Sequence, residues 1–274
     1  MRAALSIFST VWTENQGLDR LSYALNAVLW QIRKRIRGSF LKTLPSGATL
    51  KVYPNSVYSG IFYSKWFERR EILFIRKHAV LAGTFVDVGA NVGLYSAYLF
   101  DKFDRFILFE PSPSTFRTLT ENCALNPGTD CRPLNLAVAD APGMLDFIDL
   151  GGLSSTSRVP GRNEIDEANA SVFVTTLDAE IHLEDGPIVL KVDVEGLEER
   201  VFQGAVRLFA DRQVRLLIFE RLERTNLERV EALLYGFGYR LFVLTADGRV
   251  SYERALIEKP EINLFAVPPD ILMQ

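Results

Sequence analysis

Residues 84–112, TFVDVGANVGLYSAYLFDKFDRFILFEPS, constrain the fold more than any other stretch of the chain. A β-prone run, Thr84 to Val88, meets a turn of small residues, Gly89-Ala90-Asn91-Val92-Gly93. A helix-like segment follows, then a second apolar run, Phe106 to Phe109, which ends at Glu110. Strand, glycine turn, helix, strand and acid make half of a nucleotide-binding α/β sheet. Gly89 and Gly93 let the backbone turn tightly and pass close to a ligand, where a Cβ would collide. Free N–H groups at the start of the helix can face a ligand carboxylate or phosphate. Glu110 lies 21 residues after Gly89, at a strand end, where a carboxylate can accept both hydroxyls of a ribose.

The same turn sorts the nucleoside cofactors. A dinucleotide site wants G-x-G-x-x-G, with a middle glycine that admits the pyrophosphate. Here Asn91 stands in that place, and Asp87 precedes the first glycine. An acid there would repel a pyrophosphate but suits an α-ammonium group. The expected cofactor is therefore S-adenosylmethionine (SAM) rather than NAD, with Asp87, Gly89, Asn91, Gly93, Glu110, Pro111 and Ser112 as its candidate contacts.

At 274 residues, 48% of them hydrophobic, the chain suits one large α/β domain over 81–274, with a helical and β-hairpin extension over 1–80. A net charge of −3 gives no bulk electrostatic case for a nucleic-acid partner. Cys123 and Cys131 have no second pair, so they read as reduced thiols rather than as a disulfide framework or zinc site. No apolar run approaches the ~18 residues of a membrane span. Ala3 to Trp12 is apolar after Arg2, but no convincing small-residue cleavage site follows before Asp19. The expected location is cytoplasmic.

Within the extension, Leu18, Leu21, Leu25, Val28, Ile32 and Ile36 recur at three- and four-residue steps, predicting a helix over 18–37 with one apolar stripe. Its Arg33, Lys34, Arg35 and Arg37 suit a helix C-terminus. Such a helix can pack on the main domain, form a homodimer contact or lie on a membrane surface; packing or a dimer is favoured, because the stripe is narrow. Residues 47–63 read as strands and turns, and Trp66 to His78 as a helix. Tyr58, Tyr63, Trp66 and Phe67 are core or the mouth of a site.

Beyond Glu110, Ser112 and Pro113 start a helix. Pro133 to Ala139 reads as a strand ending at Asp140, which either binds an adenine amino group or opens the Asp140-Ala141-Pro142-Gly143 turn. The polar stretch 150–170 is a candidate lid or substrate loop. Pro187 to Val192 is a buried strand that delivers Asp193 and Glu195 to its carboxyl end, where open α/β sheets bind ligands. Val214 to Phe219 is another, ending at Glu220.

Taken together these segments resemble the FkbM-type SAM-dependent methyltransferases. The resemblance rests on Val52-Tyr53-Pro54-Asn55, Phe85 to Ser96, Phe109-Glu110-Pro111-Ser112-Pro113, Leu125-Asn126, Ala137 to Asp140 and Thr176-Leu177-Asp178, and above all on Leu190 to Glu198 with Gly204-Ala205. It implies a Rossmann-like class I methyltransferase fold, a seven-stranded, mostly parallel sheet flanked by helices with the last strand antiparallel. It also implies methyl transfer, commonly to a hydroxyl of a sugar, glycan or natural-product small molecule.

Alcohol methylation needs an acceptor oxygen held in line with methyl and sulfur, and its proton removed. Asp193 is the first candidate for that work, Glu195 the second and Glu220 the third. Glu195 is equally readable as a helix N-terminal acid. Asp193 and Glu220 could also share a divalent cation, but no further ligand set is visible and metal stays unassigned. Val192-Asp193-Val194-Glu195-Gly196 is not the Asn/Asp-Pro-Pro-aromatic motif of base methyltransferases. N-methylation and a non-catalytic SAM-fold scaffold remain the alternatives.

Overall fold

The protein, seen here as a computed structural model, is described at residues 11–12, 15, 17–33, 35, 38–53, 57–66, 68–150, 168–271 and 273. A helix, α1 (Asp19–Arg33), precedes a hairpin of β1 (Phe40–Thr43) and β2 (Thr49–Val52) and a second helix, α2 (Arg69–His78). The main sheet then begins with β3 (Thr84–Val88), α3 (Leu94–Ala97), β4 (Arg105–Phe109), α4 (Pro113–Ala124) and β5 (Asp130–Leu134). After a small second sheet it continues with β9 (Ile188–Val192), α5 (Glu198–Gln203), β10 (Val214–Arg221), α6 (Leu227–Gly236), β11 (Arg240–Leu244), β12 (Val250–Ser251) and β13 (Ile262–Val267). The second sheet holds β6 (Ala137–Val138), β8 (Ala170–Thr175) and β7 (Gly143–Phe147), in that order.

The main sheet runs β12-β11-β13-β10-β9-β3-β4-β5. β10, β9, β3, β4 and β5 are parallel neighbours, and β13 lies antiparallel between β10 and β11. This is the Rossmann-like arrangement expected. Its eighth member is the two-residue β12, too short to leave a period in the sequence. Strands β3 and β9 are buried along their whole length, which explains why they are apolar apart from Thr84, Asp87 and Lys191: helices cover both faces. Phe85 points into one core with Leu108 and Ile218, and Val86 into the other with Ile107 and Leu190. Leu44, Leu50, Val52, Ile61, Ile72 and Ile75 belong to the first of these cores, so the hairpin and α2 pack directly on the sheet.

Two expectations change. The strand over 133–139 is broken: β5 stops at Leu134, and Ala137–Val138 joins the second sheet. Asn135 sits at the break and donates its Nδ2 to the carbonyls of Glu110 and Pro111, at 2.8 and 2.9 Å. The helix over 18–37 ends at Arg33 in its described part, and its apolar stripe faces outward. Leu21 is 74% exposed while Trp30 is 3% exposed. Trp30 stacks on Phe62 at 4.1 Å and meets Phe40 edge-on. One tryptophan among aromatic partners buries more area than any leucine of the stripe. Residues 151–167 of the predicted lid, and Phe67 of the aromatic mouth, lie outside the described residues.

Candidate active site

The sheet order reverses between β3 and β9, and the cleft opens there, at the carboxyl ends of the parallel strands. Its volume is about 340 Å³, and it is bounded by the Val88–Asn91 turn, Glu110, Pro111, residues 136–139, Lys191, Asp193–Glu195 and Glu220. The turn is fixed by backbone bonds. The amides of Gly89 and Ala90 donate to the Phe109 carbonyl at 3.0 and 2.9 Å, and the Asp193 amide donates to the Val88 carbonyl at 2.9 Å.

Both glycines allow close packing, and Gly89 also lines the cleft. Gly89 has φ +78°, and a Cβ there would lie 1.9 Å from the Asp193 carbonyl oxygen. Gly93 has φ +82°, and its Cβ would meet Leu119 Cδ1 at 2.8 Å; it does not line the cleft. Each lets two chain segments touch, as a side chain could not.

Asp87 stands behind the cleft wall. It is fully buried, does not line the cleft, and is paired with Lys191 Nζ at 3.2 Å. Ser96 Oγ donates to its other oxygen at 2.8 Å. The positive charge that Asp87 answers is the chain's own. Lys191 reaches on to Asp193, 3.4 Å away, and lies 5.2 Å from the centre of the Tyr95 ring. Burial works against its charge, but Asp87, Asp193 and Glu68 together outweigh it and hold the ammonium above lysine's usual range.

Glu110 stands where the sequence predicts, at the end of β4 and buried. It accepts from the amides of Asn91 at 2.9 Å and Ser112 at 2.8 Å. Burial raises its pKa to about 7 despite these bonds. Asn91, at φ 51°, lines the cleft, and its Oδ1 is buried with no partner among the described residues. Pro111 is a wall residue. Ser112 is not: it caps α4 by accepting from the Thr115 amide at 3.2 Å and binds Asp149 at 2.9 Å. Asp140 is exposed, outside the cleft, and paired with Arg200 at 2.6 Å. The wall where it was expected is made by residues 136–139.

At the other end, Asp193, Glu195 and Glu220 all line the cleft. Glu195 adopts φ 55° and is held by Arg224, which bonds its carbonyl at 2.7 Å and its carboxylate at 2.6 Å. Glu220 is half-buried, and burial followed by repulsion from Asp193, Glu195 and Glu68 raises its pKa to about 7. Glu68 is the residue the sequence did not single out. It precedes α2 with φ 41°, lines the cleft, and accepts from Asn263 Nδ2 at 3.3 Å. Burial, then Glu71, raises its pKa to about 7. Nothing in Glu68-Arg69-Arg70-Glu71 distinguishes it from a solvated helix start. Among the described residues no group of three or more His, Cys, Asp and Glu side chains could hold a metal ion.

The methyltransferase FkbM domain matches residues 87–241. The chain belongs to the FkbM methyltransferase family. The hexuronic acid methyltransferase AglP of Haloferax volcanii is 34% identical over 122 residues, covering 43% of this chain and 48% of its own length. The chain thus spans about half of that relative. The methyltransferase sdnD of Sordaria araneosa is 27% identical over 190 residues, 56% of this chain and 72% of its own. Among solved structures, the tRNA (uracil-54, C5)-methyltransferase of Pyrococcus abyssi in complex with S-adenosyl-L-homocysteine matches 83% of this chain and 43% of its own, with 14% identity and a TM-score of 0.44.

SAM is the methyl donor of the FkbM family, and the cleft has the groups to meet it. Glu110 keeps lone pairs beyond the two spent on backbone amides, since a carboxylate offers about four acceptor sites. Val138, Phe109 and Phe147 give an apolar wall, and the Asn91 Oδ1 has no partner among the described residues.

Proposed function

We propose that this FkbM-family chain is a SAM-dependent O-methyltransferase acting on a hydroxyl of a sugar, glycan or natural-product small molecule. Glu110 would hold the ribose, with the Gly89–Asn91 turn and Pro111 beside it. SAM, when bound, supplies a methyl group on a sulfonium for in-line attack by an acceptor oxygen. The supporting observation is the cluster of Asp193, Glu220 and Glu68 at one end of the same cleft. A base is most useful when its pKa lies near the working pH, and Glu220 meets that condition at about 7. In this reading Glu220 takes the acceptor's proton. Asp193, steadied by Lys191, orients the acceptor, and Glu195, tied to Arg224, positions the loop.

AglP is named for a hexuronic acid. At this end of the cleft Glu68, Asp193 and Glu220 have Lys191 as the one cation lining it with them, while Glu195 is paired with Arg224. That balance disfavours a carboxylated acceptor and suits a neutral polyol. It equally suits an amine, so N-methylation of an amino acceptor is the second reading.

Thermal unfolding with SAM, its demethylated product and NAD in parallel tests the donor. A ligand at a hundred times its dissociation constant adds about 2.7 kcal/mol to the native state, so both SAM compounds should shift the midpoint and NAD should not. Paired neutral, amino and carboxylated sugar glycosides with labelled SAM then test the acceptor. Asp193→Asn should keep the product-induced shift and, by releasing the acceptor's orientation, lose about a hundredfold in turnover. Unchanged turnover removes Asp193 from the mechanism.

A further inference from the structure

We propose that α1 is a membrane-surface helix that lays its outward face into an anionic phospholipid bilayer. This does not depend on the methyltransferase reading. Leu18, Leu21, Leu25, Val28, Leu29 and Ile32 are each between 41% and 85% exposed. At about 100° per residue they fall within one arc roughly 100° wide. The opposite side carries Ala27 and Trp30, both buried. The chain therefore spends its anchoring face on the protein and leaves the more apolar face to the outside.

Charge selects the occupant. Residues 17–43 hold Arg20, Arg33, Lys34, Arg35, Arg37 and Lys42 against Asp19 alone, a local charge of +5 in a chain of net charge −3. Asp19 is itself paired, with Lys65 at 3.2 Å. An apolar stripe that leads along the sequence into a basic segment matches an interface of acyl chains and anionic headgroups. At 15 residues the helix is too short to cross a bilayer, which takes about 20, so it would lie in the plane.

A second copy fits less well. The helix is about 22 Å long at 1.5 Å per residue and its stripe is about 10 Å wide, giving a few hundred Å². A stable dimer usually buries about 800 Å² per partner, and pairing two such helices brings two +5 segments together.

Flotation of the purified chain on vesicles tests the proposal. Phosphatidylcholine vesicles containing phosphatidylglycerol should carry the protein upward, and added salt or pure phosphatidylcholine should weaken this. One leucine moved out of hydrocarbon is worth roughly tenfold in partitioning, so Leu21→Ser with Leu25→Ser should lower binding by about a hundredfold. These side chains are exposed, and an unchanged thermal midpoint would show the fold intact. Arg33→Glu with Arg35→Glu should abolish the preference for anionic vesicles without touching the stripe. Failure of the unaltered chain to float overturns the proposal, as does equal flotation of the leucine variant. A dimer by light scattering that the leucine variant converts to monomer, with no vesicle binding, assigns the face to a second copy instead.

Discussion

At the scale of single residues, the Asp87–Lys191 pair carries most of the consequences. Both partners are buried, and among the described residues the one further ion pair that either makes is that of Lys191 with Asp193. Removing one member of a buried pair strands the other, typically at about 3–5 kcal/mol. Lys191→Met should therefore lower the unfolding free energy measured by urea titration by that order, and the variant should also lose the link to Asp193. Glu68, Glu110 and Glu220 set a pH dependence of unusual sign. Each has its folded-state pKa raised from 4.5 to about 7. Between those values the folded chain holds protons that the unfolded chain releases, so stability is fully present below about pH 4.5 and falls as pH rises towards 7. Asp140 and Asp270, held below 3.8 by Arg200 and Arg215, act only at lower pH and in the opposite sense. Melting should thus occur at lower temperature at about pH 8 than at about pH 5.5, and Glu68→Gln should flatten the slope. Sequence reading found Glu110, Asp193 and Glu220 because strand ends at a glycine turn announce themselves. It could not find Glu68, which reaches the cleft only because α2 packs on the sheet. Nor could it foresee that Asp87 is satisfied by Lys191, 104 positions later in the chain.

Among the elements, the β3–α3 turn is the most exacting. Its motif was legible in the sequence, but the reason for its first glycine was not, since the atom that excludes a Cβ belongs to the loop after β9. Gly89→Ala combines a positive φ with a 1.9 Å approach to backbone. It should cost about 3 kcal/mol or more and displace Asp193 from the cleft. Loss of solubility or a strongly lowered thermal midpoint would register this, and a near-normal midpoint would contradict it. Helix α4 shows the opposite case: Ser112 and Pro113 specify its start locally, and the structure uses both. Helix α1 lies between. Periodicity announced its existence and its stripe but not which face packs on the protein, because periodicity counts apolar residues and does not see the pocket of Phe40 and Phe62 that receives Trp30.

Across the whole molecule, hairpin, α2 and sheet share one core, so the N-terminal segment and the cleft respond together to destabilisation. The parallel pair β3–β9 joins Thr84 to Ile188 and Val88 to Val192. Both strands are buried on both faces. During synthesis, β3, β4 and β5 leave the ribosome long before β9, and at about 5–20 residues per second the gap lasts several seconds or more. For that interval β3 is a bare edge able to pair with any other strand. A chain released after residue 186 should therefore aggregate where the full chain stays soluble, measurable as the fraction left in the supernatant after translation. The centre of the sheet, where the cleft opens, is completed late, and a helper that shields strand edges would act on this protein in that window.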